Sequence, residues 1–131
     1  MRLVDPEAML CPERRPAGQM IWFRVRGALP DDVALHNALL AYLSDMTLIN
    51  TALLVHGLTI FDPKIQVASL DHALWIHDTL RVDQWLLYAQ HSPWAGGARA
   101  LTRGQIFTRE GKLVASVSQE GLVRLREAAR S

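Results

Sequence analysis

The chain is 131 residues long, half of them hydrophobic, and carries 14 lysines and arginines against 13 acids, for a formal net charge of +1. That length is a prior for one domain, with enough apolar residues to build a core. A near-neutral balance with scattered basic residues implies no strong field, so neither nucleic acid nor an acidic membrane surface is an expected partner.

Cys11 is the single cysteine, so no internal disulfide can form, which fits a reducing compartment. No apolar run reaches the roughly 18 residues needed to span a bilayer. The opening MRLVDPEAMLCPERRP has acids and no secretory apolar region, and is expected not to be a signal peptide. The final Ala129, Arg130 and Ser131 match no retention or peroxisomal address. A soluble cytoplasmic protein is the expectation.

Met1 to Gly18 hold three prolines and paired charges and read as an arm or linker, with the domain proper over residues 19–131. Met20 to Arg26 alternates with a period of two, which predicts a strand with Ile21, Phe23 and Val25 on one face. A turn at Gly27 to Asp31 follows, with Asp31 as a plausible N-cap. Asp32 to His56 then reads as one long helix with Gly57 after its last turn. That helix is apolar on nearly every side, which predicts burial on every side. It nonetheless carries Asp45, whose neighbours at three and four residues are Ala41, Tyr42, Leu48 and Ile49.

After Asp62-Pro63 the period returns to two. Ile65 to His77 reads as one long strand, Trp85 to His91 as the next, and Ser92 to Gly97 as a break. Ala98 to Thr108 and Leu113 to Arg126 are further strands, joined by an Arg109 to Lys112 turn that contains Gly111. One strand, one greasy helix and four more strands make an α+β pattern. Only a strongly curved antiparallel sheet can wrap such a helix, which is the hotdog fold. One such unit leaves a helix flank and sheet edges open, so a second copy is expected to cover them.

Three polar residues stand where apolar ones belong. Asp45 interrupts the helix. Gln119 shares a strand face with Leu113, Ala115, Val117, Gly121, Val123 and Leu125, and is either a structural amide or one that holds a water or a carbonyl oxygen. Ser69 shares the face of Asp71, while an odd offset sends His72 to the other side. Asp71 has Arg81, Arg99 and Arg103 as candidate partners, and the spacing of His72, His77 and His91 fits no zinc pattern. An acid, a hydroxyl and an amide without an activating histidine suggest water as the attacking species, with Asp45 as base.

The run Ala68 to His77 (ASLDHALWIH), with Trp85 to Tyr88, Ser92 to Arg99 (SPWAGGAR), Leu113 to Gly121 and Ala41 to Asp45, resembles the acyl-CoA thioesterase II family, specifically the C-terminal of its two hotdog repeats. The resemblance covers about Gln19 to Arg126. It implies a triad that orders a hydrolytic water, its aspartate falling on Asp45, its hydroxyl residue on Ser69 and its glutamine on Gln119. It implies an acyl-CoA substrate and no metal or organic cofactor. With one repeat present, the chain is either a fragment or a half-length protein that forms a homodimer or higher homo-oligomer. Hydrolysis to a fatty acid and coenzyme A is the leading expectation. A non-catalytic acyl-binding half that needs a partner is the second. A hotdog dehydratase is the third, and the parity of His72 counts against it.

Overall fold

Alternation over the first long strand decides which face of the sheet becomes the core: Ile21 and Phe23 are buried, while Met20 and Arg24 are exposed. The computed structural model describes residues 2–3, 18–54, 58 and 61–125. Its elements are β1 (Arg2–Leu3), β2 (Gly18–Phe23), α1 (Val33–Asp45), α2 (Asn50–Leu54), β3 (Ile65–Ser69), β4 (Ala73–Ile76), β5 (Leu86–Gly96), β6 (Arg99–Thr108) and β7 (Leu113–Leu125). The strands pair antiparallel in the order β1-β2-β5-β6-β7-β3, and β4 also pairs with β7. The stretch expected as an arm thus begins with two residues that pair with β2. Leu40 and Leu48 pack in one cluster with Ile21, Phe23, Leu86, Tyr88, Ile106 and Val117, so the curled sheet closes on the helical segment as a hotdog.

The helix is shorter and less enclosed than its composition predicts. α1 ends at Asp45, and the chain turns before α2 through bonds three residues apart, Met46 N–H to Leu43 O and Asn50 N–H to Thr47 O among them. Polar side chains hold the turn. Gln90 Nε2 donates to Thr47 Oγ1 at 2.8 Å, Thr51 Oγ1 donates to Gln90 Oε1 at 3.1 Å, and Gln19 Nε2 donates to the same oxygen at 2.6 Å. Threonine hydroxyls tied across the core compete with a continuous helix. Burial on every side is also overturned: Tyr42 and Val33 are exposed. Gly57 lies outside the described residues.

Asp32, and not Asp31, is the N-cap, its carboxylate accepting from the Ala34 and Leu35 N–H groups. Asp31 instead pairs with Arg81. Arg81 also grips Asp83, with Nε to Oδ1 at 3.0 Å and Nη2 to Oδ2 at 2.8 Å, and Asp83 accepts from Leu29 N–H at 2.8 Å. His36 fixes the same corner. Its Nδ1 accepts from Val82 N–H at 3.1 Å, so its Nε2–H donates to Pro30 O at 2.9 Å. The Arg81 guanidinium, and then the Leu29 amide, holds the Asp83 carboxyl down to about 2. A carboxyl depressed in the folded state contributes stability above its unfolded value near 4 and loses it as pH falls toward 2. Asp83→Asn is therefore expected to lower stability at pH 7 and to flatten the pH dependence between about 4 and 2. Chemical denaturation across that range checks both.

Two strands depart from the expected segmentation because each absorbs an extra residue. The long strand expected from Ile65 to His77 is β3 and β4 with a break between them. Between Ser69 and Ala73 the chain advances four residues while its partners on β7, Gly121 and Ser118, lie three apart. Leu70 and Asp71 both direct their N–H groups to Glu120 O, and Asp71 Oδ1 accepts from Glu120 N–H at 2.8 Å. Of the break expected at Ser92 to Gly97, Ser92 to Gly96 continue β5 and only Gly97 is a turn, with a register shift between His91 and Trp94 that accommodates Pro93. On β6, Gly104 lies under the Tyr88 ring, where an added Cβ would sit 2.2 Å from Cε1. Only glycine allows β5 to keep that aromatic in the core.

Candidate active site

The three polar residues that stand out in the sequence come together. Asp45 is the last residue of α1, Ser69 the last of β3, and Gln119 lies midway along β7. Ser69 Oγ donates to Asp45 Oδ1 at 3.2 Å, and Gln119 Nε2 donates to Ser69 Oγ at 2.8 Å. Each element contributes through its geometry. The helix end turns Asp45 out of the core. The end of β3 sets Ser69 opposite Gly121. Gln119 falls on the inward face of β7 between Val117 and Gly121, and Thr102 Oγ1 on β6 donates to its backbone carbonyl at 3.2 Å.

Their environments differ from expectation. Gln119 is 1% exposed, as its apolar face predicts. Asp45 is not buried: its side chain is 47% exposed. The helix stops there, so Leu48 and Ile49 no longer stack beside it, and Ala41 and Tyr42 are themselves exposed. Ser69 is exposed too. The pair thus opens to solvent from one side and rests on a buried amide on the other. An acid in the last turn of a helix opposes the macrodipole, a local cost of the kind that functional sites carry.

His72 joins this group, which corrects the expectation that it faces away from Ser69. Strand parity holds only without insertion, and the extra residue between Ser69 and Ala73 reverses it. Past the break, His72 meets Gln119. Its Nδ1 lies 2.6 Å from Gln119 Oε1, its Nε2 2.8 Å from Ser44 Oγ, and Nδ1 is 3.7 Å from Asp45 Oδ1. The sequence gives no local signal for that insertion. Beneath the helix end, Tyr88 O–H donates to Ser44 O at 2.8 Å. Burial, with Asp45 nearby, pushes its phenol well above the usual range, so it is a fixed neutral donor.

The other candidates are placed elsewhere. Asp71 bonds the Glu120 amide. Arg81 serves Asp31 and Asp83. Arg99 pairs with Glu120 at 3.5 Å and stacks 5.7 Å from the Trp94 ring. His77 Nε2 lies 2.8 Å from Ser116 Oγ.

A model of the acyl-CoA thioesterase family matches residues 12–122. The chain is 38% identical over 130 residues to acyl-coenzyme A thioesterase 8 of Mus musculus, covering 96% of this chain and 39% of the mouse protein. It is 41% identical over 112 residues to acyl-CoA thioesterase 2 of Haemophilus influenzae, covering 86% and 39%. The crystal structure of TesB2, an acyl-CoA thioesterase II from Mycobacterium marinum, matches with a TM-score of 0.83 at 48% identity, covering 97% of this chain and 49% of that one. The chain spans less than half the length of each of these relatives.

Proposed function

The chain belongs to the acyl-CoA thioesterase family, and from that premise we propose that it hydrolyses acyl-CoA thioesters to a free acid and coenzyme A. The observation that carries the reading is the unbroken hydrogen-bond chain from Gln119 through Ser69 to Asp45, open to solvent at the carboxylate. Asp45 is the one member that accepts a proton at neutral pH. It takes the proton of a water held against it by the second N–H of Gln119 and by Ser69. The hydroxide adds to the thioester carbonyl, the tetrahedral intermediate expels the thiolate, a good leaving group that needs no strong acid, and the proton on Asp45 then passes to solvent or to the departing thiolate. No metal or organic cofactor takes part.

His72 does not act on substrate in this scheme. Both its ring nitrogens are engaged within the protein, which argues against a dehydratase that would need that imidazole as its acid or base.

The active unit in this reading is the hotdog domain, residues 19–131, paired with a second one in a homodimer or higher homo-oligomer. Large apolar side chains flank the site in the chain: Tyr42 and Met46 beside Asp45, Leu70 beside Ser69. Among the described residues β3 and β4 form a sheet edge paired only with β7. A second domain would cover both. The length of the relatives favours one alternative, a half that binds acyl-CoA and is inactive without a partner. Gel filtration beside a thiol-release assay on a short and a long acyl-CoA separates the two. Stoichiometric thiol release by a purified oligomer supports the hydrolase. Acyl-CoA binding without thiol release supports the alternative.

A further inference from the structure

The imidazole of His72 makes two short contacts that the hydrolytic reading leaves unused. The directions of the bonds around it are fixed from the far end. An ionised carboxylate only accepts. Ser69 therefore gives its single hydrogen to Asp45 Oδ1 and must accept from Gln119. This turns the Gln119 amide with its nitrogen toward Ser69 and its carbonyl away. With Gln119 1% exposed, that carbonyl needs a donor inside the protein. The group that faces it, at 2.6 Å, is His72 Nδ1. An amide turned the other way would draw the Ser69 hydrogen off Asp45 and leave the water without its N–H.

Ser44 holds the other end of the ring. Its hydroxyl has one hydrogen and two acceptors in reach, Ala41 O at 2.9 Å and His72 Nε2 at 2.8 Å. With a neutral ring, Ser44 donates to Nε2 and the ring hydrogen stays on Nδ1. With a cationic ring, Nε2–H donates to Ser44, which donates to Ala41 O. A neutral ring with its hydrogen on Nε2 would set two acceptors, Nδ1 and Gln119 Oε1, 2.6 Å apart with no hydrogen between them, so in both remaining states Nδ1–H points at Gln119. Asp45 Oδ1, at 3.7 Å from Nδ1, is beyond hydrogen-bond distance though within ion-pair reach of a cationic ring, so a neutral ring reaches the acid only through the amide and the hydroxyl.

We propose that His72 is a positioning residue whose Nδ1–H, kept in place by Ser44, locks the Gln119 amide with its nitrogen toward Ser69 and the attacking water. The proposal rests on the reading of Asp45, Ser69 and Gln119 as a water-activating site and adds to it a residue that does not touch substrate. It also gives the inserted residue between Ser69 and Ala73 a purpose, since without it His72 would point away.

Two conservative variants separate the ring's two contacts. Asparagine puts its amide nitrogen near the Nδ1 position, and glutamine puts its own near Nε2. His72→Gln is expected to lower kcat by about 10–100-fold, the scale of a misplaced catalytic group. KM should stay within about threefold, because no substrate contact is lost. His72→Asn is expected to keep kcat within about threefold of wild type, since a donor to Gln119 remains. In a Gln119→Ala background, His72→Gln should change kcat by less than about twofold, because its effect passes through the missing amide. The proposal is overturned if His72→Gln turns over like wild type, if both variants lose activity equally, or if the losses multiply in the double variant. Asp45→Asn in the same assay keeps the two levels apart. If it retains wild-type turnover, the hydrolytic reading fails and takes this proposal with it. If it is inactive while His72→Gln is not, only the role of His72 is lost.

Discussion

Asp45→Asn is expected to lower kcat for acyl-CoA hydrolysis by about 10²–10⁴, the range for a general acid–base group, or about 3–5 kcal/mol of barrier. The substitution keeps the shape and an oxygen for Ser69 Oγ to donate to, so the contact now at 3.2 Å survives. What disappears is the ability to take a proton from water. Because the Asp45 side chain is 47% exposed at a helix end, stability should stay within about 1 kcal/mol of wild type. Thiol release by the folded variant, with its unfolding midpoint measured beside it, tests the claim. Turnover within a few-fold of wild type would falsify the assignment of Asp45 as the base.

Gln119→Ala is the second large effect, again about 10²–10⁴ in kcat, but for a different reason. It removes the donor to Ser69 and the acceptor for His72 together. It also leaves the part-buried His72 Nδ1 without its partner, at about 1–3 kcal/mol of stability. Gln119→Glu separates the two consequences. It preserves volume and the acceptor for His72, but replaces the amide nitrogen with an oxygen that cannot donate to Ser69 or to a water. It is expected to fold and to be at least about 10²-fold slower. A Gln119→Glu variant that hydrolyses at the wild-type rate would show that the amide's donors play no part.

Much of the architecture is legible in the residue pattern. Periods of two at Ile21 and Phe23 and again along β6, where Ala100, Thr102, Gly104 and Ile106 are buried, mark the inward face of the sheet. A helical segment too apolar for a single stripe requires a sheet that curls around it. Asp45 and Gln119 are legible for the complementary reason, as polar side chains among apolar neighbours, whereas Ser69 shares its face with Asp71 and is singled out by the family resemblance. These are local properties, carried by composition and spacing within one segment.

The site's geometry is not local. Where the helix stops at Asp45, Thr47 and Thr51 are bonded to Gln19 and Gln90, residues distant in the chain, in competition with a continuous helix. That stop is why the acid is exposed and not enclosed. The position of His72 depends on one residue taken up against Glu120, a β7 residue about fifty positions along the chain. Parity read along a strand assumes a regular ladder, and a bulge is set by the register of the partner strand. Each segment's pattern therefore tells which residues belong inside, whereas the meeting of a carboxylate, a hydroxyl, an amide and an imidazole is settled by how separate segments are paired. Hydrophobic burial acts on every segment alone, but hydrogen-bond direction and register exist only between two of them.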